Sequence, residues 1–462
     1  MSSNRETTTN GDSLTTDWRG SLASENSKGP PQPAIPCTFI CIVMVCMSAI
    51  SANWLTYSFT VTQFHSYGNG SEGDYYTLYD YDDKVDEHTK NHSVQTRRFL
   101  SNPQKESLIL AVPVGAFLSI IPIAAAYRKF GFRLVEGLSL SGFLPVIAKV
   151  GSYLSIEDFT LTTVILFSYL QISAIVTFPV AAILSASPLG WHSVHYSFCI
   201  DSFQRTKRQA RFFEVFYGTT AEHHSSSMLT FHLPYVSIYQ DLPFWGTMVA
   251  AYGYFSALQL TIQYVPTFFV KVALYPPVTT ALIAALPPFV AFLLSIITAL
   301  NYPKLPLISE CKVIRMRVFN TISSLVPGLL FIVLACIDPV KHHDAVTTLY
   351  IIGACALGFA GGGFFSSVRL RAGHYSVFVV ANLHCVCYAA AAVTALLNVL
   401  ISRNEEYNEW NVLFIIHGVL LIVCNLIFCL LTTREKAEWT KDGYQDTSFG
   451  PKRNDALPQR PL

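Results

Sequence analysis

Charged residues are scarce in this sequence. Asp, Glu, Lys and Arg make up 13% of the 462 residues, and apolar residues make up 51%. Soluble domains carry about a quarter charged residues, so this composition favours a membrane protein. Basic and acidic residues are nearly equal in number, because the formal net charge is +1. Without clustered Lys and Arg, binding to nucleic acid is not expected.

The sequence also lacks the patterns of a disulfide framework, a metal centre or an enzyme. Of the eleven cysteines, nine lie in apolar runs, and Cys199 and Cys311 flank basic segments. Structural disulfides are therefore not expected. His384, Cys385 and Cys387 point in different directions on a helix, so they do not converge on one metal ion. We find no nucleophile–base pair and no cofactor motif, which argues against an enzyme.

Long apolar runs, in contrast, are abundant. A helix needs about 20 mostly apolar residues to span a bilayer, because lipid offers its backbone no hydrogen-bond partners. Ten such runs predict about ten membrane-spanning helices, and the fold class is an all-α polytopic membrane protein. The runs are 35–60, 106–127, 134–155, 159–187, 242–266, 276–300, 317–337, 345–367, 374–402 and 410–432. None holds an Asp or Glu near its middle, so proton coupling by a carboxylate is unsupported.

Basic residues between the runs predict the orientation. With both termini in the cytosol, the basic loops fall on the cytosolic side, and mostly acidic segments such as "YYTLYDYDDKVDEH" fall outside. Glycosylation is expected at the sequons of Asn69 and Asn91, because both lie in the outside loop 61–105. The cytosolic basic residues are Arg128, Lys129, Arg133, Arg205, Lys207, Arg208, Arg211, Lys304, Lys312, Arg315, Arg317, Arg369, Arg371, Arg434 and Lys436.

The same pattern predicts the domain organisation. Run 159–187 is expected to pass from outside to the cytosol, because the segment after it is too charged to enter a membrane. Six charged residues lie within 201–214, and each costs about 2.5–3.5 kcal/mol at the bilayer centre. The regions are a disordered cytosolic tail (1–34), a truncated N-terminal helical half (35–187), a cytosolic central loop (188–241), a C-terminal six-helix half (242–432) and a cytosolic tail (433–462).

Several segments, in their order along the chain, carry a resemblance to a known family. They include "FTLTTVILFSYLQISAIVTFPVAAILSASPLGWHSVHY", "LPFWGTMVAAYGYFSALQLTIQYVPTFFV" and "EEYNEWNVLFIIHGVLLIVCNLIFCLL". The sequence resembles the major facilitator superfamily, and within it the anion transporters of solute carrier family 17 (sialin, vesicular glutamate and sodium–phosphate types). The resemblance covers roughly residues 36–440 and implies a helical bundle that carries an organic or inorganic anion by alternating access.

The resemblance has clear departures. Family members have twelve spans, and the counterparts of helices four and six are missing from the ten runs. The family uses basic residues on helices one, four and seven for the anion. Here the first run holds no basic residue, and Tyr254 stands where the glutamate carriers have Arg. Either the helices are absent from the protein, or the sequence derives from an incomplete gene model.

A few polar residues within the runs are candidates for a solute path. Gln259 and Gln263 share a helical face four residues apart, and Tyr252 and Tyr254 lie near them. Gln171 and His384 are further candidates. For each of these groups the alternative is interhelical packing. The glycine-rich "GFAGGGFF" (358–365) has no preceding strand and no GK[ST], so close helix packing is expected there.

These observations favour a transporter of a small solute, an organic or inorganic anion, with a co-transported ion as a further partner. The alternative is a transport-inactive relative that acts as a membrane scaffold or receptor, and a membrane enzyme comes third. The protein is expected in the plasma membrane or in a lysosomal or vesicular membrane.

Overall fold

The structure is a computed structural model. It describes residues 37–61, 64–67, 75–78, 107–119, 122, 159–187, 193–201, 204, 234–301, 311–402, 405–433 and 435–441. Asn69 and Asn91 lie outside these residues, and so does the predicted run 134–155.

The described residues are mostly helical, as the long apolar runs predict. The helices are α1 (Cys37–Val61), α2 (Ser107–Ser119), α3 (Phe159–Ser185), α4 (193–201), α5 (Tyr235–Tyr239), α6 (Leu242–Gln259, then a π turn Leu260–Tyr264, then Val265–Lys271), α7 (Pro277–Asn301), α8 (Lys312–Leu334), α9 (His343–Ala356, then a 3₁₀ turn Leu357–Gly362, then Phe364–Ala372), α10 (Ser376–Ile401) and α11 (Tyr407–Leu431). Strands β1 (Phe64–Tyr67) and β2 (Tyr75–Leu78) pair antiparallel after α1.

Among the described residues, seven helices are long and apolar enough to cross a membrane: α1, α3 and α7 to α11. Each coincides with a predicted run, so the prediction of an all-α polytopic membrane protein is confirmed. α6 is not one of the seven, because Tyr, Thr, Ser and Gln interrupt its apolar sequence. It nevertheless packs against α10 and α11 inside the bundle.

α7 shows why these helices form a bundle in lipid. Its large apolar side chains are exposed on one face, which suits a helix that faces lipid. Small residues such as Ala281, Ala284 and Ser295 occupy the buried face, where they let neighbouring helices approach closely. The exposed set is Leu282, Leu286, Phe289, Leu293, Ile297 and Leu300.

Basic side chains gather at one end of the bundle, which we call the basic end. Arg371, near the end of α9, forms an ion pair with Asp241, the residue before α6; Nη2 and Oδ1 are 2.5 Å apart. Arg317 of α8 donates from Nη2 to the backbone oxygen of Thr432, just after α11, at 2.8 Å. The ends of four helices therefore meet here.

Some basic residues expected in loops lie in helices instead. α8 begins at Lys312, so Arg315 and Arg317 occupy its first two turns, and Arg369 and Arg371 lie in the last turn of α9. A prediction from hydropathy places the end of a span at the first charged residue. A helix can continue past that point because long basic side chains extend to the surface.

The other end of the bundle holds the opposite ends of the same helices. The hydroxyl groups of Tyr275, before α7, and Thr347, in α9, are 2.9 Å apart. The Tyr407 hydroxyl, at the start of α11, donates to the Ala335 backbone oxygen, after α8, at 3.4 Å. Neighbouring helices of the second half therefore alternate in direction.

α1 and α3 both run from the basic end to the opposite end. The first part of α3, Phe159–Phe167, packs against Phe364–Ala372, the part of α9 that ends at the basic end. Near the far ends of the two helices, the rings of Phe59 and Phe178 have centroids 5.7 Å apart. The two helices are therefore parallel neighbours.

This packing contradicts the predicted course of run 159–187. His195, at the start of α4, has Nε2 3.1 Å from Thr60 Oγ1 at the end of α1, so region 188–241 does not begin at the basic end. The run was expected to pass from outside to the cytosol, opposite in direction to α1. The opposite direction is wrong, because the side-chain contacts of α3 make it parallel to α1. The described chain resumes at Pro234, just before α5 and Asp241 of the basic end.

Candidate functional site between the two halves

Aromatic rings fill the contact between α3, from the first half, and α6, α9 and α10, from the second half. We call them the aromatic cluster. Its members are Phe167, Tyr169, Tyr254, Phe255, Phe364, Phe365, His384 and Tyr388, and all are buried. The cluster contains no Asp, Glu, Lys or Arg side chain, so no ion pair is part of this contact between the halves.

Phe167 is the centre of this cluster. Its ring centroid lies 5.4 Å from that of Phe255, 5.5 Å from Phe365 and 5.5 Å from His384. These distances are typical of favourable aromatic pairs. One side chain of α3 thus contacts three helices of the second half.

Gln171 lies one helical turn after Phe167, on the same face of α3. Its side chain is 2% exposed, and neither amide atom has a hydrogen-bond partner among the residues that the structure describes. A buried polar atom without a partner costs about 1–3 kcal/mol. Such a group indicates that a polar ligand or a water molecule completes its hydrogen bonds.

Glycines position α9 beside the cluster. The helix narrows to a 3₁₀ turn over Leu357–Gly362, just before the two phenylalanines of the cluster. A Cβ at Gly358 would lie 2.6 Å from the backbone oxygen of Ala291, and one at Gly361 would lie 2.5 Å from that of Ser295, both in α7. Only glycine permits this approach. The prediction that "GFAGGGFF" serves close helix packing is confirmed.

α6 widens into a π turn at Leu260–Tyr264, where the Val265 N–H bonds to the Leu260 oxygen. Pro266 explains the change, because proline has no N–H and its ring clashes with the carbonyl four residues earlier. The Tyr350 hydroxyl of α9 donates to the Thr261 backbone oxygen at 3.2 Å. Single π turns within helices are frequent at functional sites.

We predict that Tyr350→Phe lowers the free energy of unfolding by about 1 kcal/mol, because the buried Thr261 oxygen loses its donor. The melting temperature of the purified protein tests this. Tyr275→Phe is the matched control: it removes a phenol hydroxyl from a half-buried site, so a smaller decrease is expected. An equal or larger decrease for the control would contradict the role given to Tyr350.

Three of the predicted path residues come together. Tyr254 and His384 belong to the aromatic cluster, on α6 and α10, and Gln171 lies one turn away on α3. The centroids of Tyr254 and Phe365 are 6.1 Å apart, and those of His384 and Tyr388 are 5.0 Å apart. The sequence contained no signal for this grouping, because the residues are far apart along the chain.

The other three predicted residues lie elsewhere on α6. Gln259 directly precedes the π turn and Gln263 lies within it, with exposures of 4% and 1%. Tyr252 is only partly buried and has Cys424 of α11 as a neighbour, so it faces away from the cluster.

The structure adds residues that sequence reasoning missed. Phe167, Phe365 and Tyr388 form much of the aromatic cluster, but an aromatic residue in an apolar run looks like ordinary core. No group of three or more His, Cys, Asp or Glu side chains suited to a metal ion occurs in the part of the chain that the structure describes.

The chain matches no family model and no curated protein. Solved structures, in contrast, share its fold. A POT family transporter in complex with a thioalcohol-conjugated peptide is 12% identical with a TM-score of 0.56, and the match covers 86% of this chain and 96% of that one. The chain has the major-facilitator fold. A D-xylose–proton symporter (10% identical, TM-score 0.52, covering 85% of this chain and 97% of that one) shares it.

A bacterial homologue of the iron transporter ferroportin, in an outward-facing state, also has this fold. It is 13% identical, with a TM-score of 0.52, and the match covers 86% of this chain and 99% of that one. At these identities the likeness concerns the fold. Together with the seven apolar helices, it makes the chain an integral membrane protein.

Proposed function

We propose that this protein transports a small organic solute across a membrane by alternating access. The observation that carries the proposal is Gln171, beside the rings that join α3 to the second half. Its buried amide has no hydrogen-bond partner in the described part of the chain. A solute between the halves would supply the missing hydrogen bonds. The neighbouring structures are a POT family transporter in complex with a conjugated peptide, a D-xylose–proton symporter and a homologue of an iron transporter, which supports transport as the function of this fold.

The proposed substrate class is an organic anion that carries a carboxylate. The resemblance to solute carrier family 17 supports this class. Within the aromatic cluster, His384 is the side chain that can carry a positive charge. A proton taken up with the anion would charge His384, which makes a proton the proposed co-transported ion. Gln259 and Gln263, beside the π turn of α6, remain proposed path residues.

The basic end is the proposed cytosolic side, following the positive-inside rule. α1 begins at this end and α11 ends there, which supports the proposal that both termini are cytosolic. The loop with Asn69 and Asn91 would then be outside and open to glycosylation. A plasma, lysosomal or vesicular membrane fits this orientation equally.

Uptake by the full chain reconstituted in proteoliposomes tests the proposal. A panel of labelled carboxylates, sugars and dipeptides is offered with and without an inward proton gradient. We expect saturable uptake of at least one carboxylate, faster with the gradient. If folded protein takes up no panel member, the proposal is overturned in favour of a membrane scaffold or receptor.

Gln171→Leu should reduce this uptake about tenfold or more, because a hydrogen bond to a charged group contributes about 1.5–3 kcal/mol. Leucine keeps a similar size, so the cluster stays packed. Gln240→Leu is the matched control, because Gln240 is exposed at the end of α5, and normal uptake is expected. Unchanged uptake by Gln171→Leu would contradict a role of this residue in the path.

A further inference from the structure

A second polar site lies at the basic end, within the second half. A cavity of about 250 Å³ opens between the ends of α6, α8, α9 and α11. It is separate from the aromatic cluster, because none of the cluster residues lines it. Its wall contains the buried residues Val313 and Met316 of α8.

Cationic side chains surround this cavity. Lys312, Arg371 and Lys436 line it, against one carboxylate, Glu435. Asp241 is engaged by Arg371 through both carboxylate oxygens, at 2.9 and 2.5 Å. Lys312 and Lys436 are exposed at the mouth, so they can follow the position of a bound anion.

Hydroxyl groups form the polar part of the wall. Thr247 and Ser367 have their oxygens 3.1 Å apart and are buried. Thr433 accepts a hydrogen bond from Arg371 Nη1 at 2.5 Å. Thr247 donates to the Pro243 backbone oxygen at 3.2 Å, and Ser367 donates to that of Phe364 at 2.6 Å. A hydroxyl group that accepts a hydrogen bond can turn its own hydrogen toward an anion, so Thr433 adds a donor to the cations.

The backbone acceptors around the cavity are already engaged. Arg317 donates to the Thr432 oxygen at 2.8 Å, and Arg371 Nη1 donates to the Glu435 oxygen at 3.1 Å. The Arg371 oxygen accepts from the Ala437 N–H at 3.3 Å. The cavity therefore presents cations and hydroxyl groups rather than free carbonyls, which favours an anion over a cation.

The cavity also lies at the level expected for lipid headgroups. It reaches Pro243 in the first turn of α6. Next to it, the partly exposed Trp245 donates from Nε1 to the Tyr239 backbone oxygen at 2.7 Å. Exposed Trp and Tyr side chains are typical of the membrane–water interface. A headgroup and a soluble anion can both reach such a position.

We propose that this cavity binds a phosphate group, from a phosphorylated lipid headgroup or from a soluble phosphate. Lys312 and Lys436 supply charge at the mouth, and the Thr433 hydroxyl, held in place by Arg371, supplies a further donor. Tetrahedral phosphate oxygens can accept from several of these donors at once. The site is distinct from the proposed solute path, so binding is independent of the proposed transport function.

Binding to the purified full chain tests the proposal. The probes are dioctanoyl phosphatidylinositol 4-phosphate, soluble inositol 1,4-bisphosphate and inorganic phosphate, with dioctanoylglycerol as the phosphate-free control. We expect at least the phosphorylated lipid to bind and to raise the melting temperature. Binding of the lipid alone identifies the membrane as the source. If a soluble probe binds with a Kd within about tenfold of that of the phosphorylated lipid, the phosphate group is sufficient for binding.

Variants of the mouth residues sharpen the test. Lys312→Gln with Lys436→Gln should weaken binding about tenfold, since each partly exposed charge contributes modestly. Glu435→Gln should strengthen binding, because it removes the carboxylate that repels the anion. Lys341→Gln is the matched control, because Lys341 lies between α8 and α9, away from this end, and unchanged binding is expected.

The outcome that overturns the proposal is an absence of binding by every phosphorylated probe, or equal binding by the wild-type chain and the lysine double variant. Lys312→Arg with Lys436→Arg is the control that separates loss of charge from misfolding, because it keeps both charges and should retain binding. If this conservative pair also loses binding while its melting temperature is unchanged, charge is not the cause and the proposal fails.

Discussion

Gly361→Val should prevent the chain from accumulating in folded form. A Cβ at this position would lie 2.5 Å from the Ser295 backbone oxygen and 2.8 Å from Thr298 Oγ1. The backbone oxygen cannot move aside unless the whole of α7 shifts. The cost should therefore exceed the about 1–3 kcal/mol of ordinary overpacking. Size-exclusion chromatography of the detergent-extracted protein should show the monodisperse peak lost.

The same substitution at another helical glycine provides the control. Gly115 lies in α2, and a Cβ there would meet nothing within 4 Å. Gly115→Val should keep the monodisperse peak, with only the small penalty of valine in a helix. A Gly361→Val protein that elutes and melts like the wild type would show that α7 and α9 do not pack as closely as the structure has them.

Arg371→Met should lower the free energy of unfolding by about 2–4 kcal/mol, because it leaves the carboxylate of Asp241 without a partner in a mostly buried position. The two side chains are 17% and 14% exposed. Asp241→Asn with Arg371→Met removes both charges and should recover much of this loss. A double-mutant cycle of melting temperatures measures the coupling. If Arg371→Met and the double variant are equally stable, the coupling between Arg371 and Asp241 is contradicted.

The same substitution should also release the segment after α11. The Arg371 guanidinium holds this segment through hydrogen bonds to Thr433 and the Glu435 oxygen. The substitution removes these bonds but leaves the ring contact of Trp439 with Tyr375, whose centroids are 5.6 Å apart. Limited proteolysis at Lys436 should therefore be faster in Arg371→Met. Lys341→Met breaks only an exposed pair with Asp338 and should leave the cleavage rate unchanged.

The predicted helices of the second half agree with the structure within a few residues at most ends, because an apolar run of this length can only be a spanning helix in lipid. The start of α8 is one of the ends that differ: the helix begins before the predicted run, because its first turns carry Arg315 and Arg317 and a hydropathy pattern stops at charges. The direction of α3 could not be obtained in this way. It depends on the contact of Phe159–Phe167 with the last part of α9 and on the proximity of Thr60 and His195.

The candidate site was predicted only in part. Gln171, Tyr254 and His384 stood out because polar and titratable groups are rare within the runs. Their grouping was not predictable, since three different helices bring them together. The π turn of α6 has a local cause in Pro266, but the donation from Tyr350 to Thr261 depends on the position of α9.

The sequence by itself determined that the chain is a polytopic helical membrane protein, since lipid requires every backbone group of a span to be bonded within its own helix. It also determined where α9 could approach a neighbouring helix closely, because glycine lacks the Cβ that would keep the backbones apart. The tertiary structure alone decided which helices are neighbours, in which direction α3 runs and which polar side chains share a site. Lipid satisfies an apolar surface as well as another helix does, so hydropathy does not distinguish partners. Van der Waals packing, ring contacts and a few hydrogen bonds decide them.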